Sequence, residues 1–139
     1  MLKLFIPTLI FIHTLGFAQN PNLTITVQNL KNNNGLLTVE LYNSKEKFLK
    51  TAYKSVSVAI KSNTALVTFI GIPKAEYTVM VYHDENNNGK LDKNFIGMPK
   101  EPVACSNNAK GFMGPPKYED AKFIITADKK MNIKMTTAH

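Results

Sequence analysis

The sequence predicts an all-β protein. The expected fold is a seven-stranded antiparallel β-sandwich, immunoglobulin-like in architecture, with one long Gly/Pro/Asn-rich excursion over residues 84–119. Three observations predict it. Apolar side chains recur with a period of two in short runs. Those runs are rich in β-branched and aromatic residues and are bounded by Asn, Gly, Ser and Asp. No long 3.6-residue period interrupts them. A closed barrel is the alternative arrangement of the same strands.

Residues 1–18 come first and read as a signal peptide. Lys3 gives a short basic region, residues 4–15 are mostly apolar, and Gly16 and Ala18 are the small residues a signal peptidase accepts at −3 and −1. Pro7, Thr8 and His13 interrupt the run too often for a membrane span. Cleavage after Ala18 would leave Gln19 as the start of a single domain, 19–139. The chain is therefore expected to be exported, periplasmic or secreted, with no transmembrane segment after cleavage. The lone Cys105 is compatible with an oxidising compartment, since it has no partner to bridge.

Leu23, Ile25 and Val27 alternate with Thr24, Thr26 and Gln28 in the first predicted strand. Leu37, Val39 and Leu41 mark the second, and Val56, Val58 and Ile60 the third. Segments 64–70 and 76–83 are apolar on both faces, as central strands are. Ala121, Phe123 and Ile125 mark the sixth, and Met131, Ile133 and Met135 the last. Asn32-Asn33-Asn34-Gly35 is expected to close a hairpin between the first two strands, Ser62-Asn63 one between the third and fourth, and Asp128-Lys129-Lys130 one between the last two. Residues 43–52 are expected to form one or two helical turns capped by Ser44.

The excursion is far longer than a typical loop. Its aromatics Phe95, Phe112 and Tyr118 argue for internal packing, because disordered segments lack such anchors. It is expected to pack on one end of the sandwich.

The charge narrows the classes of partner. All seventeen cationic side chains are lysine, against ten Asp and Glu, for a net charge of +7. Base-specific readers and phosphate clamps depend on the arginine fork, so no specific nucleic-acid recognition is expected. Lys45, Lys47, Lys50, Lys54 and Lys61 read as a solvated face that also protects a sheet edge.

Residues 84–92 carry the sharpest chemical pattern. Asp84, Asn86, Asn88 and Asp92 fall at positions 1, 3, 5 and 9 of a calcium loop, Gly89 at the sharp turn of position 6, and Lys90 at position 7, where the backbone carbonyl ligates. Alternate residues of a tightly wound loop point to one centre, where a hard cation wants six to eight oxygens. Position 12 is Phe95 rather than the bidentate Glu. A carboxylate from Glu85, Glu101, Glu119 or Asp120 would have to complete the shell, and the sequence leaves that choice open. Two carboxylates and two amides put a Ca²⁺ affinity at roughly 10⁻⁴–10⁻³ M. The competing reading is a turn in which the Asp and Asn side chains bond their own backbone.

Catalytic patterns are sparse. There is no Gly-x-Ser-x-Gly elbow around Ser44 or Ser106, no zinc spacing and no phosphate-binding glycine loop. An enzyme would have to use His83, Asp84, Asp92 and Cys105 within residues 83–120.

Two stretches carry a resemblance. Residues 69–79 (Phe-Ile-Gly-Ile-Pro-Lys-Ala-Glu-Tyr-Thr-Val) run into His83-Asp84-Glu85-Asn86-Asn87-Asn88-Gly89-Lys90-Leu91-Asp92. Later come Gly97-Met98-Pro99-Lys100-Glu101, Ser106-Asn107-Asn108-Ala109-Lys110-Gly111 and Gly114-Pro115-Pro116-Lys117-Tyr118-Glu119-Asp120. In this order they resemble bacterial domain-of-unknown-function family 2141, small exported proteins, over about residues 22–137. Residues 71–77 also resemble the Leu-Pro-x-Gly-x-Tyr turn of transthyretin-like sandwiches, with Ala75 in place of the usual glycine. Pro102-Val103-Ala104-Cys105 departs from the glycine and aromatics of relatives. The resemblance implies a prealbumin-like sandwich and no enzymatic activity. The expectation is an exported, non-enzymatic binding or structural module of the cell envelope, with a weak Ca²⁺ loop and a glycan or protein partner.

Overall fold

The computed structural model describes residues 18–136, so the expected signal peptide, residues 1–18, lies outside the described residues except for Ala18. Eight strands stand among the described residues: β1 Leu23–Gln28, β2 Leu36–Tyr42, β3 Lys54–Ala59, β4 Ala65–Phe69, β5 Ala75–Asp84, β6 Val103–Cys105, β7 Phe123–Ile125 and β8 Lys129–Lys134. A 3₁₀ turn, Ser106–Asn108, follows β6, and a short helix, α1 Tyr118–Ala121, precedes β7. The all-β expectation stands, and the strands form two facing sheets in a sandwich-like arrangement. The smaller has the order β4-β1-β8; the larger runs β3-β2-β5, with β6 and β7 both on the far side of β5.

The period-two pattern works as expected in β1 and β2, but Val56 of β3 is exposed, and β4, expected to be a central strand buried on both faces, is an edge strand with Leu66 61% exposed. Leu23, Ile25 and Val27 of β1 and Leu37, Val39 and Leu41 of β2 are fully buried, and they meet Val79 and Val81 of β5 in one core. Each such side chain contributes roughly 1.5–3 kcal/mol relative to an exposed one.

Five sequence expectations are corrected. The strand β6, within the excursion, makes the count eight rather than seven. The sandwich is not wholly antiparallel, because β1 pairs β8 in parallel from Leu23↔Lys129 to Gln28↔Lys134. The three expected hairpins instead join strands of different sheets. Their turn residues pin the crossings to each other: Leu30 N–H donates to the Asn63 carbonyl at 3.1 Å, and Asn63 N–H to Asn33 Oδ1 at 2.8 Å. Residues 45–50 form consecutive turns rather than a helix, with Leu49 at φ 58°. Residue 121, expected in a strand, ends α1.

The Ile72-Pro73 turn is built without a glycine at 75. Gly71 takes the positive φ of 63°, Ala75 opens β5, and the buried Tyr77 hydroxyl donates to the Pro73 carbonyl at 2.7 Å. The excursion covers the outer face of the larger sheet more than its end. Tyr42, Phe48, Met80, Cys105, Tyr118 and Ala121 form a second apolar cluster there, against which Leu91 and Ala109 pack. Phe48 meets Tyr42 and Tyr118 edge-on, with centroids 5.6 and 5.7 Å apart. Of the three aromatics expected to anchor the excursion, only Tyr118 does so. Phe95 and Phe112 are 100% and 92% exposed.

Candidate metal centre

The long strand β5 ends on Asp84, which is buried at 1% exposure. Its two carboxylate oxygens accept the Asn88 and Gly89 backbone N–H groups at 3.1 and 2.8 Å. Positive φ at Asn87 (55°) and Gly89 (79°) folds the chain back to allow this. The Asn86 and Asn88 side chains both reach Asp92: Asn86 Nδ2 donates to Oδ2 at 2.7 Å, and Asn88 Nδ2 lies 2.9 and 3.0 Å from the two oxygens. These amides, Asn88 first, hold the Asp92 carboxyl below the ordinary carboxylate range. Lys90 enters through its backbone N–H, which donates to Asn88 Oδ1 at 3.1 Å. The loop thus brings Asp84, Asn86, Asn88 and Asp92 together and closes them on themselves.

Glu85, Glu119 and Asp120 do not join it. Glu85 accepts from Asn32 Nδ2 at 3.2 Å, Glu119 pairs with Lys45 and Lys122 at 3.0 and 2.7 Å, and Asp120 lies exposed on α1. Glu101 does join it. The antiparallel register of β5 and β6 runs Met80↔Cys105, Val81↔Ala104, Tyr82↔Val103, and His83 N–H donates to the Pro102 carbonyl at 3.0 Å. Glu101 is the next residue beyond Pro102, at the end of β5 where Asp84 lies. Glu101 is 7% exposed; its Oε2 accepts the Asp92 N–H at 3.1 Å, and its buried Oε1 has no hydrogen-bond partner. Burial pushes its carboxyl above the usual range, and the charges of Asp84 and Asp92 add to the shift. Among the described residues no three His, Cys, Asp or Glu side chains stand close enough to hold an ion by themselves. Asn88 links two of the carboxylates, with its backbone N–H on Asp84 and its side chain on Asp92, and Glu101 is tied in through the Asp92 N–H.

Gly35 fixes the first residue of the loop from behind. Its φ is +65°, and a Cβ there would stand 1.9 Å from the Asp84 carbonyl oxygen. No side chain fits between β2 and the end of β5 at this point.

The His83–Cys105 pair does not form. His83 shares the inward face of β5 with Val79 and Val81, whereas Cys105 lies opposite Met80 in the outer cluster. Both are buried. The His83 ring donates from Nε2 to the Asn34 carbonyl at 2.6 Å, which ties the β1–β2 crossing to β5. Burial pushes the Cys105 thiol up to about 12, far from a reactive thiolate. Ser106 is fully buried and bonded to backbone. A groove between β3 and β4, lined by Lys54, Ser55, Val56, Thr68, Phe69 and Ile70, holds no carboxylate, His or Cys.

No helix among the described residues is long and apolar enough to cross a membrane. A family model described as "Uncharacterized protein conserved in bacteria (DUF2141)" matches residues 25–134 of the chain. No curated protein and no solved structure matches it.

Proposed function

The chain belongs to the bacterial DUF2141 family, and within that family we propose an exported, calcium-binding β-sandwich module that works by binding rather than by catalysis. One observation carries the ion reading. Glu101 adjoins the Pro102–His83 contact at the end of β5, feels the charges of Asp84 and Asp92, and is buried with one oxygen unpartnered. Like charges nearby disfavour the ionised form, and a buried carboxylate needs a proton or a cation. A divalent ion would meet that need.

The donor set fits a hard cation. Asp84, Asp92 and Glu101 offer carboxylates, Asn86 and Asn88 offer amide oxygens, and Lys90 its carbonyl. A half-turn of each amide would exchange the nitrogen facing Asp92 for its oxygen. Bound Ca²⁺ would then pin residues 84–101 to the end of β5. Prealbumin-like sandwiches are the scaffold this reading has in view, supported by the Ile72-Pro73 turn and its Tyr77 bond. The excursion would present a surface to a glycan or protein of the cell envelope. The alternative, an enzyme built on residues 83–120, loses support because His83 and Cys105 face opposite sides.

Isothermal titration of chelator-treated protein with CaCl₂, with MgCl₂ as the control, tests the reading. One site with submillimolar to millimolar affinity is expected, lost in Glu101→Gln with an unchanged circular dichroism spectrum. Absence of heat with either ion, or binding unchanged in Glu101→Gln, would overturn it.

A further inference from the structure

Two eight-residue segments of the excursion repeat one pattern. Residues 93–100 read Lys-Asn-Phe-Ile-Gly-Met-Pro-Lys and residues 110–117 read Lys-Gly-Phe-Met-Gly-Pro-Pro-Lys. Both place Lys at the first and last positions, Phe at the third, an unbranched or branched aliphatic at the fourth, Gly at the fifth and Pro at the seventh. Neither contains an acidic residue.

The first segment is a built tip. Asn94 N–H donates to the Met98 carbonyl at 2.9 Å and Gly97 N–H to the Asn94 carbonyl at 3.0 Å, while Asn94 Oδ1 accepts the Ile96 and Met98 N–H groups at 3.1 and 2.9 Å. Gly97 supplies the positive φ of 83°. This puts Phe95 and Ile96 at the two central positions of a tight turn, where Gly, Pro, Asn, Asp and Ser are the usual residues. Phe95 is 100% exposed and Ile96 64%. The second tip shows Phe112 at 92% and Met113 at 95%, with Met113 at φ 55°. These side chains do nothing for the core, and exposed apolar groups in such concentration mark an interaction site. Lys93, Lys100, Lys110 and Lys117 are all exposed beside them. The bases of both tips rest on the same outer cluster, through Leu91 before the first and Ala109 before the second, with Tyr118 after it.

We propose that residues 93–100 and 110–117 form a twin-tipped surface that docks onto an anionic lipid membrane. Phe95, Ile96, Phe112 and Met113 enter the interfacial region, and the four flanking lysines meet the negative headgroups. Apolar groups at a tip ringed by cations are complementary to that surface, which is apolar within and anionic at its face. A purely apolar protein cleft would leave four lysines without a role. The inference does not rest on the ion site.

The chain has no tryptophan, so single Phe95→Trp and Phe112→Trp variants carry clean reporters. Each is mixed with vesicles of phosphatidylcholine alone or phosphatidylcholine with phosphatidylglycerol at 7:3. A blue shift at both positions is expected with the anionic vesicles only, reversed by high salt. In vesicle flotation, Phe95→Ser/Phe112→Ser is expected to bind about tenfold or more weakly. Gln at positions 93, 100, 110 and 117 should cause a similar loss. Both variants should melt like the parent, because they alter exposed side chains. A blue shift at neither or only one position, or equal binding to neutral vesicles, would overturn the proposal. So would light scattering showing a dimer that the double Ser variant dissociates.

Discussion

The Ser106 hydroxyl takes the place of a missing strand residue beside Val79. It accepts the Val79 N–H at 3.0 Å and donates to the Ala121 carbonyl at 2.5 Å. Upstream, β6 pairs β5 at residues 80–82; downstream, β7 pairs it at residues 75–77. Val79 falls in the gap between the two ladders. Ser106 is fully buried, so no water can replace it. Ser106→Ala would leave a buried donor and a buried acceptor unpaired, a loss of about 2–4 kcal/mol. Urea unfolding should show a lower midpoint with an unchanged slope. A midpoint within error of the parent would show that Val79 and Ala121 find other partners.

Glu101 is expected to cost the ion-free protein stability at neutral pH. Its carboxyl is shifted upward on folding, chiefly by burial. An acid raised in the folded state binds more protons there than when unfolded, so stability falls as pH rises from its unfolded value, near 4.5, through its folded one. Glu101→Gln removes that titration and keeps an oxygen for the Asp92 N–H. In EDTA, the variant should melt above the parent at pH 7 and converge with it at pH 4. A lower melting temperature at pH 7 would mean that the charged form is already compensated without an ion.

Calcium should raise the melting temperature of the parent. A ligand that binds only the folded loop adds RT ln(1 + [L]/Kd), about 1.4 kcal/mol at ten times Kd. For a domain of this size that is about 5 °C. Asp84→Ala/Asp92→Ala should melt lower in EDTA, because Asp84 holds the Asn88 and Gly89 amides, and should not respond to Ca²⁺. Equal melting of the parent in millimolar Ca²⁺ and in EDTA would sink the ion reading.

Most strands were legible because burial on one face writes a period of two, as in Leu23, Ile25 and Val27. Their assignment to sheets was not. An Asn-rich stretch such as 29–35 supplies the same turn conformations whether the chain folds back on itself or crosses to the facing sheet. The strand β6 escaped because three residues are too few to show a period. With it went the means to choose Glu101, whose place at the Asp84 end of β5 follows from the β5–β6 pairing and from no local motif. The four loop side chains were legible because a tight turn and an ion loop need the same spacing. Phe95 and Phe112 look like anchors in the sequence and are exposed in the structure, since hydrophobicity alone does not say which side of a surface a side chain is on.

Cys105 should be slow to react. It is buried opposite Met80, and burial pushes its thiol up to about 12, so almost none is thiolate at pH 8. Ellman's reagent should label it orders of magnitude faster in 6 M guanidinium than in buffer. Rapid labelling of the folded protein would mean that the outer cluster opens easily.

Gly35→Ala is the sharpest test of how β2 sets the loop. Two effects act together at this position. A left-handed φ of +65° strains any residue with a Cβ, and that Cβ would fall 1.9 Å from the Asp84 carbonyl. The flexible end of a side chain could move aside, but a carbonyl within the strand β5 cannot move without its neighbours. Relief would come from displacing the end of β5, where Leu36 pairs Asp84. The expected loss is about 2–4 kcal/mol. It should come with disturbed amide signals at Asn88 and Gly89, whose protons Asp84 accepts. Gly71→Ala is the matched control. It has the same sign of φ at +63° but open space around the new methyl, so it should lose only the strain, about 1 kcal/mol. Equal losses at the two positions would show that backbone strain alone matters, and that Gly35 does not support Asp84 by close approach.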